Sequence, residues 1–561
     1  MLFAIAQGTV WEHQHDEGTS SDLAIGLITR GEFVPTWPLN PVSVGSLYRT
    51  VEGNSDYTVR DAIESVTVPN YRMFHPPGYY TLLHLWTKVF GTSRLGLRLP
   101  AYLLAALAIL GMVRIARRVI PEAHGSLWVA LLFGLSPWVL RLTNFARPYH
   151  LALFCAVWAT AAVVSMQDER RQKRWPVIFV LLSVLGLYTL YHYAFVLVWH
   201  LALIAWNAWA STTPEQRRAR LIGLVGLLLA ISAGFAPWLR NFFLHLKVSG
   251  NSGDYFTGAV AKVHWNHYAL QAYQDFTIAD ALRTFGGQHL ATAALVLGAL
   301  SLPILLWAFA GAGRKALGTN AQRFWITATL LPLLILASDL WRGSHTIFIP
   351  KLCFGMIILL VLALVRAWLA VPVAWLRNAG LASWALLMII SMTFNTYTRA
   401  AEPSDMEDTA ASIAQADTNY HLVILSTDLR GYSAPFLLSL RDAGVQNVFV
   451  TQAKNQEDLS LLLVDISNRW ASRFQRVSLV NFRIPQFRTQ LMWDEQFLKD
   501  EVSTPARDSK QWQVFWHNEQ TWSGENAIIT GDRSPDKNRE MWFYGPVKAR
   551  FYSNPILTSD E

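Results

Sequence analysis

Between residues 97 and 395 the chain is a succession of long apolar runs separated by short basic loops, and this pattern constrains the fold more than any other feature. A backbone in hydrocarbon must satisfy its own hydrogen bonds, so runs of this kind become helices spanning a bilayer. Spans are expected near 97–113, 125–141, 148–166, 175–190, 191–210, 221–243, 288–312, 322–338, 347–370 and 380–395. Several fall short of the roughly 20 residues of a full crossing. The stretch 175–210 reads as two short helices or one long broken one.

The loops give the direction. Arg114, Arg117 and Arg118 form one basic cluster, and Arg170, Arg171, Lys173 and Arg174 the next. Arg217, Arg218 and Arg220 follow, then Arg314, Lys315 and Arg323, and last Arg366 and Arg377. They fall in alternate loops, which positive-inside bias assigns to the cytoplasm. The stretches 1–96, 142–147, 244–287, 339–346, the Tyr188–Tyr193 corner and the tail from about 396 then face outward. This loop chemistry accounts for the formal charge of +8, which therefore does not point to nucleic acid. Hydrophobic residues make up 52% and charged residues 15%, too apolar for an ordinary soluble protein. The 24 tryptophans and 18 tyrosines suit extensive interfacial belts. Cys155 and Cys353 both lie in apolar runs, so no disulfide framework is indicated.

The expected fold is a polytopic α-helical membrane protein of about 10–12 spans with a C-terminal extracytoplasmic α/β domain. Its expected parts are 1–96, a partial first helix with an outer loop and juxtamembrane helices; 97–395, the transmembrane bundle; and 396–561, the tail domain. Met1–Val10 is apolar, too short to cross, and lacks a basic n-region, and it is read as a shortened first helix. The segment 75–91 is interrupted by His84 and Lys88 and is expected to lie at the interface or re-enter. In the tail, Asp405–Ala416 and Ala434–Gly444 read as helices, and His421–Ser426, Val445–Thr451 and Arg476–Phe482 as strands. Their alternation implies a partly parallel sheet. No Gly-rich phosphate loop follows any of these strands.

The polar residues that carry chemistry gather on the outer side. Asp16 and Glu17 stand in the run Trp11-Glu-His-Gln-His-Asp-Glu-Gly18 at the mouth of the apolar region. Adjacent carboxylates raise one another's pKa, which suits proton transfer, although a solvated loop would also carry them. His75-Pro-Pro-Gly-Tyr79-Tyr80 fixes the chain with two prolines and then presents two rings; an aromatic anchor belt has the same composition. Arg147 and Tyr149 close the outer end of one run in Asn144-Phe-Ala-Arg-Pro-Tyr149, where an arginine either snorkels to headgroups or grips a phosphate. Tyr191 and His192 sit at another corner, and Arg342 and Lys351 bring two more cations to the same face. Outward cations run against positive-inside bias, so Arg147, Arg342 and Lys351 weigh more than cytoplasmic arginines. Cations, histidines and an acidic pair on one face describe a site for an anionic, lipid-linked substrate.

Taken in order, the Trp-rich outer loop with Asp16–Glu17, His75-Pro-Pro-Gly-Tyr-Tyr80, Phe90-Gly…Leu97-Arg-Leu-Pro100 and Ala146-Arg-Pro-Tyr149 form a recognisable series. It resembles the GT-C membrane glycosyltransferases, in particular the bacterial branch similar to protein mannosyltransferases and the lipid A aminoarabinose transferase. The resemblance covers roughly residues 10–395 in architecture, with its motifs before residue 195. It implies a polyprenyl-phosphate-sugar donor and transfer, with inversion, to a lipid, polysaccharide or protein acceptor at the periplasmic face of the bacterial inner membrane. By carry-over Asp16 is the general base and Glu17 assists; His75, Tyr79, Tyr80, Arg147, Tyr149, Tyr191, His192, Arg342 and Lys351 form the phosphate and sugar pocket. Two departures stand out. Gly78 replaces the usual Leu or Met, which loosens the motif, and Arg342-Gly-Ser-His345 stands where Arg-Tyr is common.

A lipid or sugar transporter or flippase is the main rival, and a non-catalytic envelope scaffold the third reading. No internal repeat and few mid-span charges are found, which disfavours transport. The tail lacks a Trp-Trp-Asp signature, which disfavours an oligosaccharyltransferase. His13, His15 and Asp16 could ligate a divalent metal (Mg, Mn or Zn), but a two-residue-spaced His pair in a loop is a weak metal signal, and no cofactor is required by the pattern.

Overall fold

A computed structural model describes residues 40–51, 58–67, 75–122, 124–143, 146–167, 174–210, 213–251, 292, 295–297, 301, 319–342, 352–401, 405–415, 417, 419–425, 430–453, 457–459, 461–462, 476–483, 511–518 and 528–530. The described residues form two compact units: those within 66–83 and 98–398 in the first, and those within 11–65, 84–97 and 399–561 in the second.

The helices are α1 (Val44–Val51), α2 (Val59–Ser65), α3 (Gly78–Phe90), α4 (Arg94–Val119), α5 (Gly125–Leu135), α6 (Pro137–Thr143), α7 (Tyr149–Ser165), α8 (Arg174–Thr189), α9 (Tyr193–Trp209), α10 (Pro214–Phe235) and α11 (Leu239–Asn251). After them come α12 (Thr319–Ala328), α13 (Leu330–Arg342), α14 (Phe354–Leu369), α15 (Ala374–Ala401), α16 (Asp405–Ala414) and α17 (Arg430–Asp442). Three described stretches are long and apolar enough to cross a membrane: Leu95–Val119, Pro214–Lys247 and Thr319–Leu340.

Local chemistry explains the breaks. α3 follows Pro77 and ends at Gly91, whose φ of +72° is the left-handed conformation that closes a helix. α4 runs through Pro100, which has no N–H for the Gly96 carbonyl one turn back. The Trp86 indole N–H donates to that carbonyl instead, at 2.8 Å. The run 125–141, expected as one span, is two helices, because Pro137 opens a new helix and removes an internal donor. The stretch 175–210 resolves into α8 and α9, joined by the Leu190–His192 corner, where Tyr193 N–H donates to Leu190 O at 2.9 Å. Gly186 admits the Tyr193 ring there; a Cβ would stand 2.5 Å from Tyr193 Cδ2. The run expected at 221–243 begins earlier, at Pro214, with Thr213 Oγ1 accepting from Gln216 N–H. It passes through a 3₁₀ turn at Ala236–Trp238, which contains Pro237, into α11.

α7 lies at the heart of the first unit, with nearly every residue buried. Thr160 Oγ1 donates to Ala156 O and stands 2.8 Å from His200 Nε2, so the imidazole donates and is held as its Nε2–H tautomer. Trp368 and Trp384 both donate to Ser301 Oγ, at 3.3 and 3.2 Å, fastening α14 to α15. Three of the basic residues expected on the cytoplasmic side are anchored on neighbouring helices. Arg114 Nε donates to Ser165 Oγ at 3.0 Å and its guanidinium lies over Trp175. Arg323 donates to Asn207 Oδ1 at 3.2 Å, and Arg366 lies over Trp325.

The second unit contains a six-stranded sheet: β1 (Val42–Ser43), β2 (His421–Leu425), β3 (Phe449–Gln452), β4 (Arg476–Arg483), β5 (Gln511–Asn518) and β6 (Ile528–Thr530). Its order is β1-β3-β2-β4-β5-β6, with β3, β2, β4 and β5 parallel and the two edges antiparallel. α17 connects β2 to β3, as a parallel pair requires. Val423, Leu425, Val450 and Val480 form a core with residues of α1, α16 and α17.

Candidate functional site

In the first unit, four separate stretches of sequence bring aromatic groups into contact, with the Arg147 guanidinium beside one of them. The start of α3 supplies His75, Tyr79 and Tyr80, the two tyrosines fully buried. The His75 and Tyr80 rings are 6.3 Å apart, and Tyr79 meets Tyr80 edge-on at 5.6 Å. Tyr79 also meets His150 edge-on at 5.2 Å, which ties α3 to the start of α7. Pro148 opens α7, with Ala152 N–H donating to its carbonyl, so Arg147 and Tyr149 flank the helix start. The Arg147 guanidinium lies 5.8 Å from the Tyr149 ring and is only 5% exposed.

The third stretch is the Tyr188–His192 corner. Gly78 packs directly on it: a Cβ there would stand 2.7 Å from the Tyr188 carbonyl oxygen. Gly78 departs from the motif's usual Leu or Met, and here glycine is what lets α3 approach this closely. Tyr188 contacts Trp238, with ring centroids 6.2 Å apart. That residue belongs to the fourth stretch, the α10–α11 junction.

A directed hydrogen-bond chain runs through this junction. The Trp238 indole N–H donates to the Tyr191 hydroxyl at 2.9 Å, so the Tyr191 proton is free to go to His245 Nδ1 at 2.8 Å. His245 Nε2 then carries the remaining proton and donates to Val66 O at 3.0 Å. Burial pushes the Tyr191 phenol up to about 12, only partly opposed by the Trp238 hydrogen bond, so it stays a neutral donor at physiological pH. His192 is half-buried beside Phe195, at 6.2 Å.

The structure thus brings His75, Tyr79, Tyr80, Arg147, Tyr149 and Tyr191 into one region, with His192 at its corner. Arg342 is the last residue of α13, and its side chain lies outside the described residues. Lys351, Asp16, Glu17 and the metal candidates His13 and His15 also lie outside them. Among the described residues no group of three or more His, Cys, Asp or Glu could hold a metal ion. His150, Trp238 and His245 are participants that sequence reasoning missed. His150 directly follows Arg147-Pro-Tyr149, and that adjacency was the available signal. Two fully buried charged residues, Arg98 and Asp339, were also passed over; Arg98 lay within a quoted motif.

Residues 74–239 match the family model described as dolichyl-phosphate-mannose-protein mannosyltransferase. That stretch is under a third of the chain. It contains every described residue of the site except Val66 and His245. No curated protein matches the chain. Similar solved structures include ArnT from Cupriavidus metallidurans in the apo state, at 13% identity, covering 93% of this chain and 93% of that one, with a TM-score of 0.45. The same protein bound to undecaprenyl phosphate gives 14% identity, coverage of 82% and 90%, and a TM-score of 0.45. The Archaeoglobus fulgidus oligosaccharyltransferase gives 10% identity, coverage of 81% and 63%, and a TM-score of 0.43. Likeness at that level is too loose to carry a residue's role from one protein to another.

Proposed function

We propose that this chain is a multi-pass glycosyltransferase of the bacterial inner membrane that moves a sugar from a polyprenyl-phosphate donor to an acceptor hydroxyl at the periplasmic face. Asp16 takes the hydroxyl proton as the acceptor oxygen attacks the anomeric carbon. The bond from that carbon to the phosphate oxygen breaks, configuration inverts, and polyprenyl phosphate leaves with the bonding electrons. Glu17 orients the base.

Arg147 grips the donor phosphate. A guanidinium keeps its charge when buried and offers a planar fork that fits phosphate oxygens. His75, Tyr79, Tyr80, Tyr149, Tyr191 and His192 line the sugar and phosphate pocket, and Arg342 and Lys351 add positive charge beside it. A divalent metal held by His13, His15 and Asp16 would assist the departure of phosphate. The tail from residue 396 is a periplasmic α/β domain.

One observation carries the reading: the Pro-Pro-Gly-Tyr-Tyr start of α3 and the Arg-Pro-Tyr start of α7 meet through Tyr79 and His150, both inside the family match. Two motifs that lie far apart in sequence make one buried aromatic cluster with a cation beside it. The test is to incubate purified protein with a panel of radiolabelled polyprenyl-phosphate sugars. Release of polyprenyl phosphate from one donor supports the proposal, and inertness toward every member rejects it.

A further inference from the structure

The described residues of the second unit come from three stretches of chain, and two of these are fastened to the third. Val42 and Ser43 pair antiparallel with Val450 and Phe449, more than four hundred residues later. Val44 N–H donates to Val448 O at 2.8 Å and Gly45 N–H to Gln446 O at 3.1 Å. The Ser43 hydroxyl donates to the same Gln446 carbonyl at 2.9 Å. The buried Tyr48 hydroxyl donates to Val445 O.

The receiving turn is itself held rigid. The Asp417 carboxylate accepts from the backbone N–H groups of Gln446, Asn447 and Val448, at 3.0, 2.7 and 3.1 Å. Below the turn, Val44, Leu47 and Tyr48 are part of the same buried core as Val423, Val450 and Leu437. A second attachment lies at the turn after α3, where Arg441 Nη1 donates to Thr92 Oγ1 at 3.1 Å. A two-residue strand has no stability of its own, so the 42–51 segment takes its structure from what it packs against.

We propose that residues 405–453 act as a latch that positions the first outer segment for transfer. The segment they hold lies between Asp16 and His75, and Thr92 follows α3, which begins at the His75 motif. Tyr48, Asp417 and Arg441 are positioning residues and touch no substrate. The activity readout rests on the reaction proposed above; the cross-linking readout does not.

The test uses full-length protein in nanodiscs. Because Val44 and Val448 are hydrogen-bonded neighbours, Ser43 and Phe449 form the adjacent non-hydrogen-bonded pair, with Cα atoms about 4.5 Å apart in such geometry. That suits a disulfide, and the native Cys155 and Cys353 are buried away from oxidant. A Ser43→Cys/Phe449→Cys protein should form an intramolecular disulfide. Tyr48→Phe with Arg441→Ala should weaken latch closure by about fivefold for each lost hydrogen bond. The expected result is a lower kcat with the donor KM unchanged, restored when the disulfide is formed in the quadruple variant. Turnover is compared at a temperature where the thermal melt shows every variant fully folded, so that the cross-link's general stabilising effect cannot itself restore kcat.

Failure of the cysteine pair to cross-link in folded protein overturns the latch. So does a Tyr48→Phe/Arg441→Ala protein with wild-type kcat, or one that the disulfide does not restore. If the wild-type protein releases no polyprenyl phosphate, the proposed reaction falls, and cross-linking alone then decides for or against the latch.

Discussion

The Tyr191 hydroxyl donates to His245 Nδ1 across 2.8 Å, a direction imposed by the donor-only Trp238 N–H at one end of the chain and the acceptor-only Val66 carbonyl at the other. Removing the hydroxyl leaves two groups without their partner, the Trp238 N–H and His245 Nδ1. Tyr191→Phe should therefore cost about 1–3 kcal/mol of stability, the usual penalty for orphaned polar groups in a partly buried setting. Thermal unfolding of the purified protein measures it; an unchanged midpoint would show that the chain does not contribute.

The same phenol makes a prediction about pH. Its folded-state pKa is raised to about 12, against about 10 for a tyrosine in an unfolded chain. The native state therefore holds the proton more tightly, and the associated stability is fully present below pH 10. It is lost as pH rises from about 10 to about 12. Unfolding midpoints recorded across that window should fall in the wild type by an increment absent from Tyr191→Phe. Equal slopes in the two proteins would contradict the assignment.

Gly78 is a position where a larger residue should do harm. Because a Cβ would meet the Tyr188 carbonyl at 2.7 Å, Gly78→Leu must push α3 off the Tyr188 corner. Overpacking of this kind costs about 1–3 kcal/mol. Donor turnover and thermal stability should both drop, and a Gly78→Leu protein indistinguishable from wild type would refute the close approach.

Arg147 separates charge from geometry. If its fork grips phosphate, Arg147→Lys keeps the charge but loses bidentate contact, worth about 1.5–3 kcal/mol for a charged hydrogen bond. The donor KM should rise roughly 10- to 100-fold by that energy. The kcat should change much less. A KM equal to that of wild type would remove Arg147 from the phosphate site.

How much of this could be read from sequence differs from element to element. The apolar runs announced the helices because a bilayer demands them, and the His75 and Arg147 motifs announced two sides of the candidate site. Pro137 was visible within the 125–141 run, yet that run reads as one span because hydropathy averages across a proline. β1 was not legible: two residues, Val42 and Ser43, have no periodicity, and their partner strand lies at the other end of the chain. Trp238 and His245 were hidden because they sit in and beside an apolar run without a motif, and only folding turns them toward Tyr191. Gly78 was read as a loosened motif, because the chain alone does not show that Tyr188 presses against it.

The central claim is that Asp16 removes a proton during transfer from a polyprenyl-phosphate sugar. The direct measurement is the single-turnover rate of polyprenyl-phosphate release by Asp16→Asn protein, purified in a folded form and supplied with the donor that the wild type uses. Loss of a general base predicts a fall of about 10²–10⁴-fold with donor binding retained. Release at the wild-type rate by folded Asp16→Asn protein would contradict the account.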